Sequence, residues 1–285
     1  MSTHFAPALQ AAHDACASQH YPQGALYIVA TPIGNLADIS LRALHVLQLV
    51  DAIACEDTRH TQALLRAYGI DRPTAQLLAV HQHNESEGAQ RVLERLQQGQ
   101  RVAYASDAGT PGVSDPGARL VAAVRAAGLP VVPLPGASSI TTAVSVAGLV
   151  SQGADDGGFV FAGFLPPKAT ERANAVTALA NQVRPVVLLE APHRVEDLAQ
   201  ALATLGARPV TVGRELTKQF EEIATVPAQE LPGWLAAQPH RTKGEFVLVL
   251  HAAPLASSAD DGTRVLQLLL AELPVKTAVK LAAEL

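Results

Sequence analysis

The amino-acid sequence predicts an α/β protein of two domains, with a mostly parallel sheet in the first and a mixed sheet in the second. Three observations carry this. Through residues 25–147, short apolar runs alternate with stretches of helical period, the pattern of strand–loop–helix units. The last apolar runs lie close together with little helix between them, which points to hairpins and mixed pairing. Between the two regions, residues 151–158 read Ser-Gln-Gly-Ala-Asp-Asp-Gly-Gly, a polar and turn-rich boundary. A length of 285 residues agrees with about two domains.

Residues 1–24 show no clear period and read as a loose extension. Residues 25–30 form the first expected strand, followed by the turn Thr31-Pro32-Ile33-Gly34-Asn35. Asp38 is placed to cap the next helix, whose core face carries Leu41, Leu44 and Leu47. A second strand at 52–55 ends at Glu56-Asp57-Thr58-Arg59-His60, and a helix over 61–68 stops at Gly69. A third strand covers 77–80, and Val92, Leu93 and Leu96 line a helix ended by Gly99. The fourth strand, 102–105, opens into a loop at 106–117 that holds three glycines, acid groups and several hydroxyls. Asp115 stands where a helix N-cap belongs, with Pro116 at the first helical position and Leu120, Val121 and Val124 on one face. A fifth strand, 131–134, runs into Pro135-Gly136-Ala137-Ser138-Ser139 and a helix over 140–147.

Beyond the boundary, strand-like runs fall at 159–164, 186–189, 210–212, 223–226 and 246–250, with helices at about 170–181 and 195–205. The tail is helical in pattern and reads as incomplete at its end. The expected division is therefore a 1–24 extension, an α/β domain at 25–150, a second at 159–252, and a helical tail at 262–285. In a parallel sheet, the loops after the first, fourth and fifth strands emerge at the carboxyl edge. That gathers Ile33, Asp107, Gly109, Ser138 and Ser139 around one crevice, the usual ligand position in open α/β sheets.

Composition excludes several classes. A formal charge of −5 lacks the global signature of a nucleic-acid binder, so any RNA contact needs a local basic face. Cys16 and Cys55 support neither a disulfide framework nor a thiolate zinc site. No apolar run reaches the roughly 20 residues of a membrane span, and residues 1–24 lack a basic signal-peptide start, so a cytoplasmic protein is expected. GxGxxG after the first strand, a Walker lysine, HExxH and GxSxG are all absent. His81-Gln82-His83 with Glu85 has the makings of a metal fragment, but a polar loop explains it as well, and no metal is expected.

An ordered set of motifs resembles the tetrapyrrole methylase superfamily, and more specifically its branch that methylates ribosomal RNA. They are Leu26-Tyr27-Ile28-Val29-Ala30-Thr31-Pro32-Ile33-Gly34-Asn35-Leu36, Glu56-Asp57-Thr58-Arg59, His81-Gln82-His83-Asn84-Glu85, the 106–117 loop, Leu134-Pro135-Gly136-Ala137-Ser138-Ser139, Pro192-His193-Arg194 and Gly213-Arg214-Glu215-Leu216-Thr217-Lys218. The resemblance covers about residues 25–251. One departure is Leu189-Glu190-Ala191, where the branch usually shows an aromatic before the acid and a serine after it. The resemblance implies a class III methyltransferase architecture and 2′-O-methylation of a cytidine in the decoding region of 16S rRNA. It further implies S-adenosyl-L-methionine as cofactor, a homodimer, and the small ribosomal subunit as the setting of the RNA. The alternatives are a precorrin-type tetrapyrrole methyltransferase and a non-catalytic RNA- or ribosome-binding protein.

The same resemblance places the cofactor against Ile33, Asp107, Thr110, Ser139 and Ile140, with Leu189, Arg214, Glu215, Gly244 and Glu245 approaching from the second domain. A ribose hydroxyl needs its proton removed or polarised. Glu190, Glu215, Asp57 and Lys218 are the catalytic candidates, with Glu56 and His193 beside them. Arg59, His60, Arg194 and Lys218 are candidates for RNA phosphate. Each has a structural alternative: Asp107 in an Asx turn, Ser138 or Ser139 as a cap, Glu190 or Glu215 paired with Arg194 or Arg214, and the cations solvated or ion-paired.

Overall fold

The computed structural model describes residues 5–81, 84–113, 115, 117–149, 158–253 and 258–284. The expected boundary at 151–157, Gln82, His83 and Pro116 lie outside the described residues. The chain forms two compact units, one of Met1–Ala147, Val212–Ala224 and Lys243–Val247, the other of Gly148–Thr211, Thr225–Thr242 and Leu248–Leu285.

The first sheet contains β1 (Leu26–Val29), β2 (Ala52–Cys55), β3 (Leu77–Ala79), β4 (Val102–Ala105) and β5 (Val131–Leu134), in the order β3-β2-β4-β1-β5. All four neighbouring pairs are parallel. The strands read as continuous apolar runs because both faces are covered. Tyr27, Val29, Ile53, Ala103 and Ala105 point into one core cluster, and Leu26, Ala52, Ala54, Val102 and Tyr104 into the other. The period of two thus holds even where no polar residue reveals it. Burial pushes the Cys55 thiol up to about 11, so it packs as a small apolar side chain.

Helices cover that sheet: α1 (Ala6–Cys16), α2 (Leu41–Leu49), α3 (Thr58–Ala67), α4 (Glu85–Gln97), α5 (Gly117–Ala126) and α6 (Ser139–Val146). Residues 5–24, the described part of the expected loose extension, are not loose. They contain α1, whose Ala12 and Cys16 are buried against the core, while Phe5 meets Tyr68 edge-on at 4.9 Å. Sequence period fails here because α1 buries few residues, so its apolar stripe is narrow. Asp38 is not the cap of α2: it ends a short 3-10 turn, and Ser40 Oγ accepts from Ala43 N at 3.1 Å. Asp115 does accept from Gly117 N at 2.8 Å, and also from Gly112 N at 2.6 Å, tying the loop to the helix start.

In the second half, β6 (Val160–Gly163), β7 (Val186–Glu190), β8 (Pro209–Arg214), β9 (Glu222–Pro227) and β10 (Phe246–Leu250) form a mixed sheet ordered β6-β7-β10-β8-β9. Around it lie α7 (Ala169–Leu179), α8 (Val195–Leu202) and the short α9 (Leu231–Ala236), with α10 (Ser258–Glu272) and α11 (Val275–Glu284) closing the chain. The 195–205 helix is really α8 plus a 3-10 turn. The sequence reading missed α9, a six-residue helix too short to show a period. No described helix is long and apolar enough to cross a membrane.

Candidate active site

The register sets the carboxyl ends of four strands level: Val29 lies opposite both Ala105 and Leu134, and Ala105 opposite Cys55. Their loops therefore leave the sheet side by side, and hydrogen bonds join them. Thr31 and Gly109 exchange backbone bonds of 3.0 Å, and Thr31 Oγ1 donates to Ser106 O at 3.1 Å. Thr110 Oγ1 donates to Ala137 O at 2.9 Å. Gly109 adopts φ +81°, and a Cβ there would stand 3.2 Å from Ile33 Cγ2, so glycine lets the second loop close on the first. Ile33 is 8% exposed and forms an apolar wall. Ser138 holds the N-cap position of α6 without a side-chain cap bond, and Ser139 and Ile140 start that helix. Five of the residues expected around the cofactor are thus brought to one edge of the first unit.

The loop after β2 joins the same edge through long contacts. Asp107 N donates to Glu56 Oε1 and Asp57 N to Asp107 Oδ1, both at 3.4 Å. Burial raises the Glu56 carboxyl above the ordinary range; a backbone bond from Asp107 works against it, and the Asp107 and Asp115 charges reinforce it. Asp57 caps α3, accepting from Arg59 N at 2.8 Å, so its carboxylate serves the helix. Arg59 and His60 are exposed on the first turn of α3.

A second cluster of the first unit packs on Gly34. A Cβ on that glycine would run into Lys218 Cγ, with Thr217 and Leu216 next nearest. Glu215 and Thr217 both take positive φ, +51° and +68°. Their turn is fixed by Glu215 Oε1, which accepts from Lys218 Nζ at 2.8 Å and Glu245 N at 2.9 Å. Gly244 lies against the Glu215 side chain so closely that a Cβ would come within 2.6 Å. Burial raises the Glu215 carboxyl, but Lys218, Glu245 N and Arg214 outweigh it and hold it below the usual range. Burial likewise lowers Lys218, and Glu215 with Glu245 more than restores it, so the ammonium stays protonated. Lys218 is therefore a fixed cation and not a proton acceptor. Arg214 is buried, donating through Nε to Lys243 O at 2.8 Å and through Nη1 to Phe220 O at 3.2 Å.

In the second unit, Glu190 ends β7 with its side chain fully buried; Arg194 Nε lies 3.2 Å from Oε1, and Ala191 N donates to the same oxygen at 2.9 Å. Its Oε2 has no hydrogen-bond partner among the described residues. Arg194 also donates to Leu165 O at 2.6 Å, so this cation is committed internally. Leu189 is half-buried in the same strand, and His193 is exposed. No group of three or more metal-ligating side chains occurs among the described residues.

Sequence reasoning missed the Thr31–Gly109 bridge and Tyr104, whose hydroxyl donates to Asp115 Oδ1 at 3.1 Å. The only available signal was a tyrosine inside an otherwise small-residue strand. The joined loops fit a nucleoside-bearing sulfonium donor: an apolar wall at Ile33, a carboxylate at Asp107, and glycine backbone where side chains would intrude.

The family model of the tetrapyrrole (corrin/porphyrin) methylases matches residues 25–232, and that of the RsmI C-terminal HTH domain matches residues 256–285. Ribosomal RNA small subunit methyltransferase I of Escherichia coli O157:H7 is 49% identical over 267 residues, 92% of this chain and 91% of that one. Among solved structures, cobalt precorrin-4 methyltransferase, a cobalamin biosynthetic enzyme, aligns with TM-score 0.58 at 20% identity, covering 81% of this chain and 98% of that one. Uroporphyrin-III C-methyl transferase from Thermus thermophilus, complexed with S-adenyl homocysteine, aligns with TM-score 0.52 at 17% identity over 79% of this chain and 96% of that one. These structural likenesses establish the fold. With the methylase model matching residues 25–232, well over half of its length, the chain belongs to the tetrapyrrole methylase family.

Proposed function

We propose that this chain transfers a methyl group to the 2′-oxygen of a cytidine in the decoding region of 16S rRNA, acting in the cytoplasm as a homodimer on RNA within the small ribosomal subunit. The substrate class rests on the relatives named ribosomal RNA small subunit methyltransferase I, to which the chain is 44–49% identical over at least 92% of its length. The geometric observation that carries the reaction type is the knot of loops after β1, β4 and β5, held by Thr31–Gly109 and Thr110–Ala137.

The methyl donor is S-adenosyl-L-methionine, which when bound supplies an electrophilic methyl on a sulfonium. Ile33, Asp107, Thr110, Ser139 and Ile140 would hold it from the first unit's loops. Arg214, Glu215, Gly244 and Glu245, which belong to the first unit, are assigned to the same ligand. Among the described residues, Asp107 Oδ1 accepts one long bond, from Asp57 N at 3.4 Å, so its carboxylate is available to an amino or hydroxyl group. Thr110 has spent its proton on Ala137 and offers lone pairs. Alignment of acceptor and methyl is then the loops' main contribution.

Proton removal from the ribose falls to Glu56, which stands on the same loop edge with one long bond from Asp107 N and a carboxyl raised by burial; Glu215 is ion-paired to Lys218, and Asp57 caps α3. Glu190, its side chain fully buried, orders Arg194, whose Nε lies 3.2 Å from Oε1. Arg59 and His60, exposed at the start of α3, supply phosphate contacts, and Lys218 adds fixed positive charge.

The test is methylation of 30S subunits purified from cells lacking the protein, followed by mapping of ribose methyls. Label on one cytidine 2′-oxygen is expected. Label on a base, or on a precorrin and not on RNA, would overturn the reading. Glu56→Gln should lower turnover by about 10²–10⁴ while donor binding is retained. Sedimentation equilibrium at twice the chain mass checks the dimer.

A further inference from the structure

The carboxyl edge of the first sheet carries the loops described above, and a second cleft lies at the opposite, amino edge. It is an open cleft of about 860 Å³ where the end of α1, the end of α2 and the residues leading into β1 and β4 meet. Its lining includes His13, His20, Tyr21, His45 and Arg101, with glutamines between them and no aspartate or glutamate. That size suits a ligand of nucleotide dimensions. Tyr21 and His45 present rings with centroids 4.9 Å apart and tilted by 42°, and His13 lies 6.3 Å from His45. Arg101 is positioned by its Nε bond to Tyr21 O at 3.1 Å.

Charge around the cleft favours an anion. Two carboxylates touch lining residues from outside the cleft: Asp14 Oδ1 lies 3.4 Å from His13 Nδ1 and also accepts from Gln10 Nε2 at 2.8 Å, and Asp51 Oδ2 accepts from the Arg101 backbone N at 2.7 Å, which leaves the guanidinium to the cleft. Arg42 adds positive charge near Tyr21, whose hydroxyl burial pushes up to about 12. Burial and His13 hold the His45 imidazole below its ordinary value, so an arriving anion would draw a proton onto it. Most of the lining precedes residue 25, where the methylase family model begins, so the cleft is built largely from α1 and its connection to β1.

We propose that this cleft binds a nucleoside phosphate, with the phosphate on Arg101 and the histidines and the base against Tyr21 and His45. The nucleotide comes either from solution or from an RNA strand. It is independent of the reading of the methyl-transfer site, and its failure would leave that reading untouched.

The test uses the full chain saturated with S-adenosylhomocysteine, so that the donor pocket cannot report. Cytidine 5′-monophosphate, inorganic phosphate and a cytidine trinucleotide are titrated by calorimetry at about pH 6 and about pH 8. The monophosphate should bind with Kd on the order of 0.1 mM at the lower pH and about tenfold more weakly at the higher. Arg101→Gln and the double variant His13→Gln, His45→Gln should each weaken it about tenfold or more. Histidine proton NMR should show the His45 titration moving upward on ligand addition, a readout that a folding defect in a variant does not touch. A trinucleotide binding more tightly than the monomer assigns the site to RNA, and weaker binding assigns it to free nucleotide; either supports a nucleoside phosphate site. Absence of binding at millimolar concentration, binding unchanged in both variants, or inorganic phosphate binding as tightly as the nucleotide would overturn the proposal.

Discussion

Gly244 and Glu215 occupy what is nearly one space. The Glu215 carboxylate reaches Lys218 and Glu245 N only because Gly244, at φ +95°, carries no side chain. Gly244→Ala should therefore destabilise the protein by about 1–3 kcal/mol, from left-handed strain and displacement of Glu215, read as a lowered urea midpoint. The carboxylates here pull pH dependence in opposite directions. Glu215 has a folded pKa below its unfolded one, so its stabilisation is present at neutral pH and lost as pH falls through the carboxylate range. Glu56 is raised by burial, so its folded state favours the proton and the protein loses stability as pH rises through that pKa. Glu56→Gln is accordingly expected to raise the melting temperature at pH 7 while lowering turnover, a trade common where a site is built from a desolvated charge. A Glu56→Gln protein less stable than the parent at that pH would contradict this. None of these commitments was readable from residue type, since Glu56, Glu190 and Glu215 are all acids at strand ends and differ only in what surrounds them.

Helix starts and strand junctions show how local signals compete. Asp38 and Ser40 both stand before α2, and a sequence reading prefers the aspartate; the chain uses Ser40, because Asp38 is taken up in the preceding 3-10 turn. Ser40→Ala should cost about 1 kcal/mol in thermal or urea unfolding, and Asp38→Ala much less. In the second sheet, Arg208 is 7% exposed just before β8 and donates to the carbonyls of His251, Leu179, Ala180 and Gln182. A planar guanidinium reaches all four at once, and an ammonium cannot. Arg208→Lys should cost about 2–4 kcal/mol, because buried carbonyls lose their donors. Arg208 attracted no attention in the sequence, since an isolated arginine beside a proline carries no period and no motif.

Acid stability draws on both units separately. Burial and His13 lower the pKa of His45, and burial and Arg208 lower that of His251, whose Nε2 lies 2.8 Å from Thr211 Oγ1. Both imidazoles are favoured neutral in the folded protein. Their contribution is full above the unfolded value of about 6.5 and is lost as pH falls through their lower folded values. Midpoints of chemical unfolding should therefore drop between about pH 6.5 and pH 5, and His251→Gln should flatten part of that slope. An unfolding midpoint constant across that range would show that neither group is linked to folding.

Strand–loop–helix alternation was legible from residues 25–147 because apolar period and turn residues are local properties, and the parallel first sheet follows from them. The convergence of Ile33, Asp107 and Ser139 was legible too, since parallel strands must release their loops at one edge. Other features needed the folded chain. The order β3-β2-β4-β1-β5, the inclusion of Val212–Ala224 and Lys243–Val247 in the first unit, and the docking of α1 all depend on contacts between distant positions. Which carboxyl is shifted up and which down is decided the same way, for burial and neighbouring charge are set by packing and leave no trace in the spacing of the residues themselves.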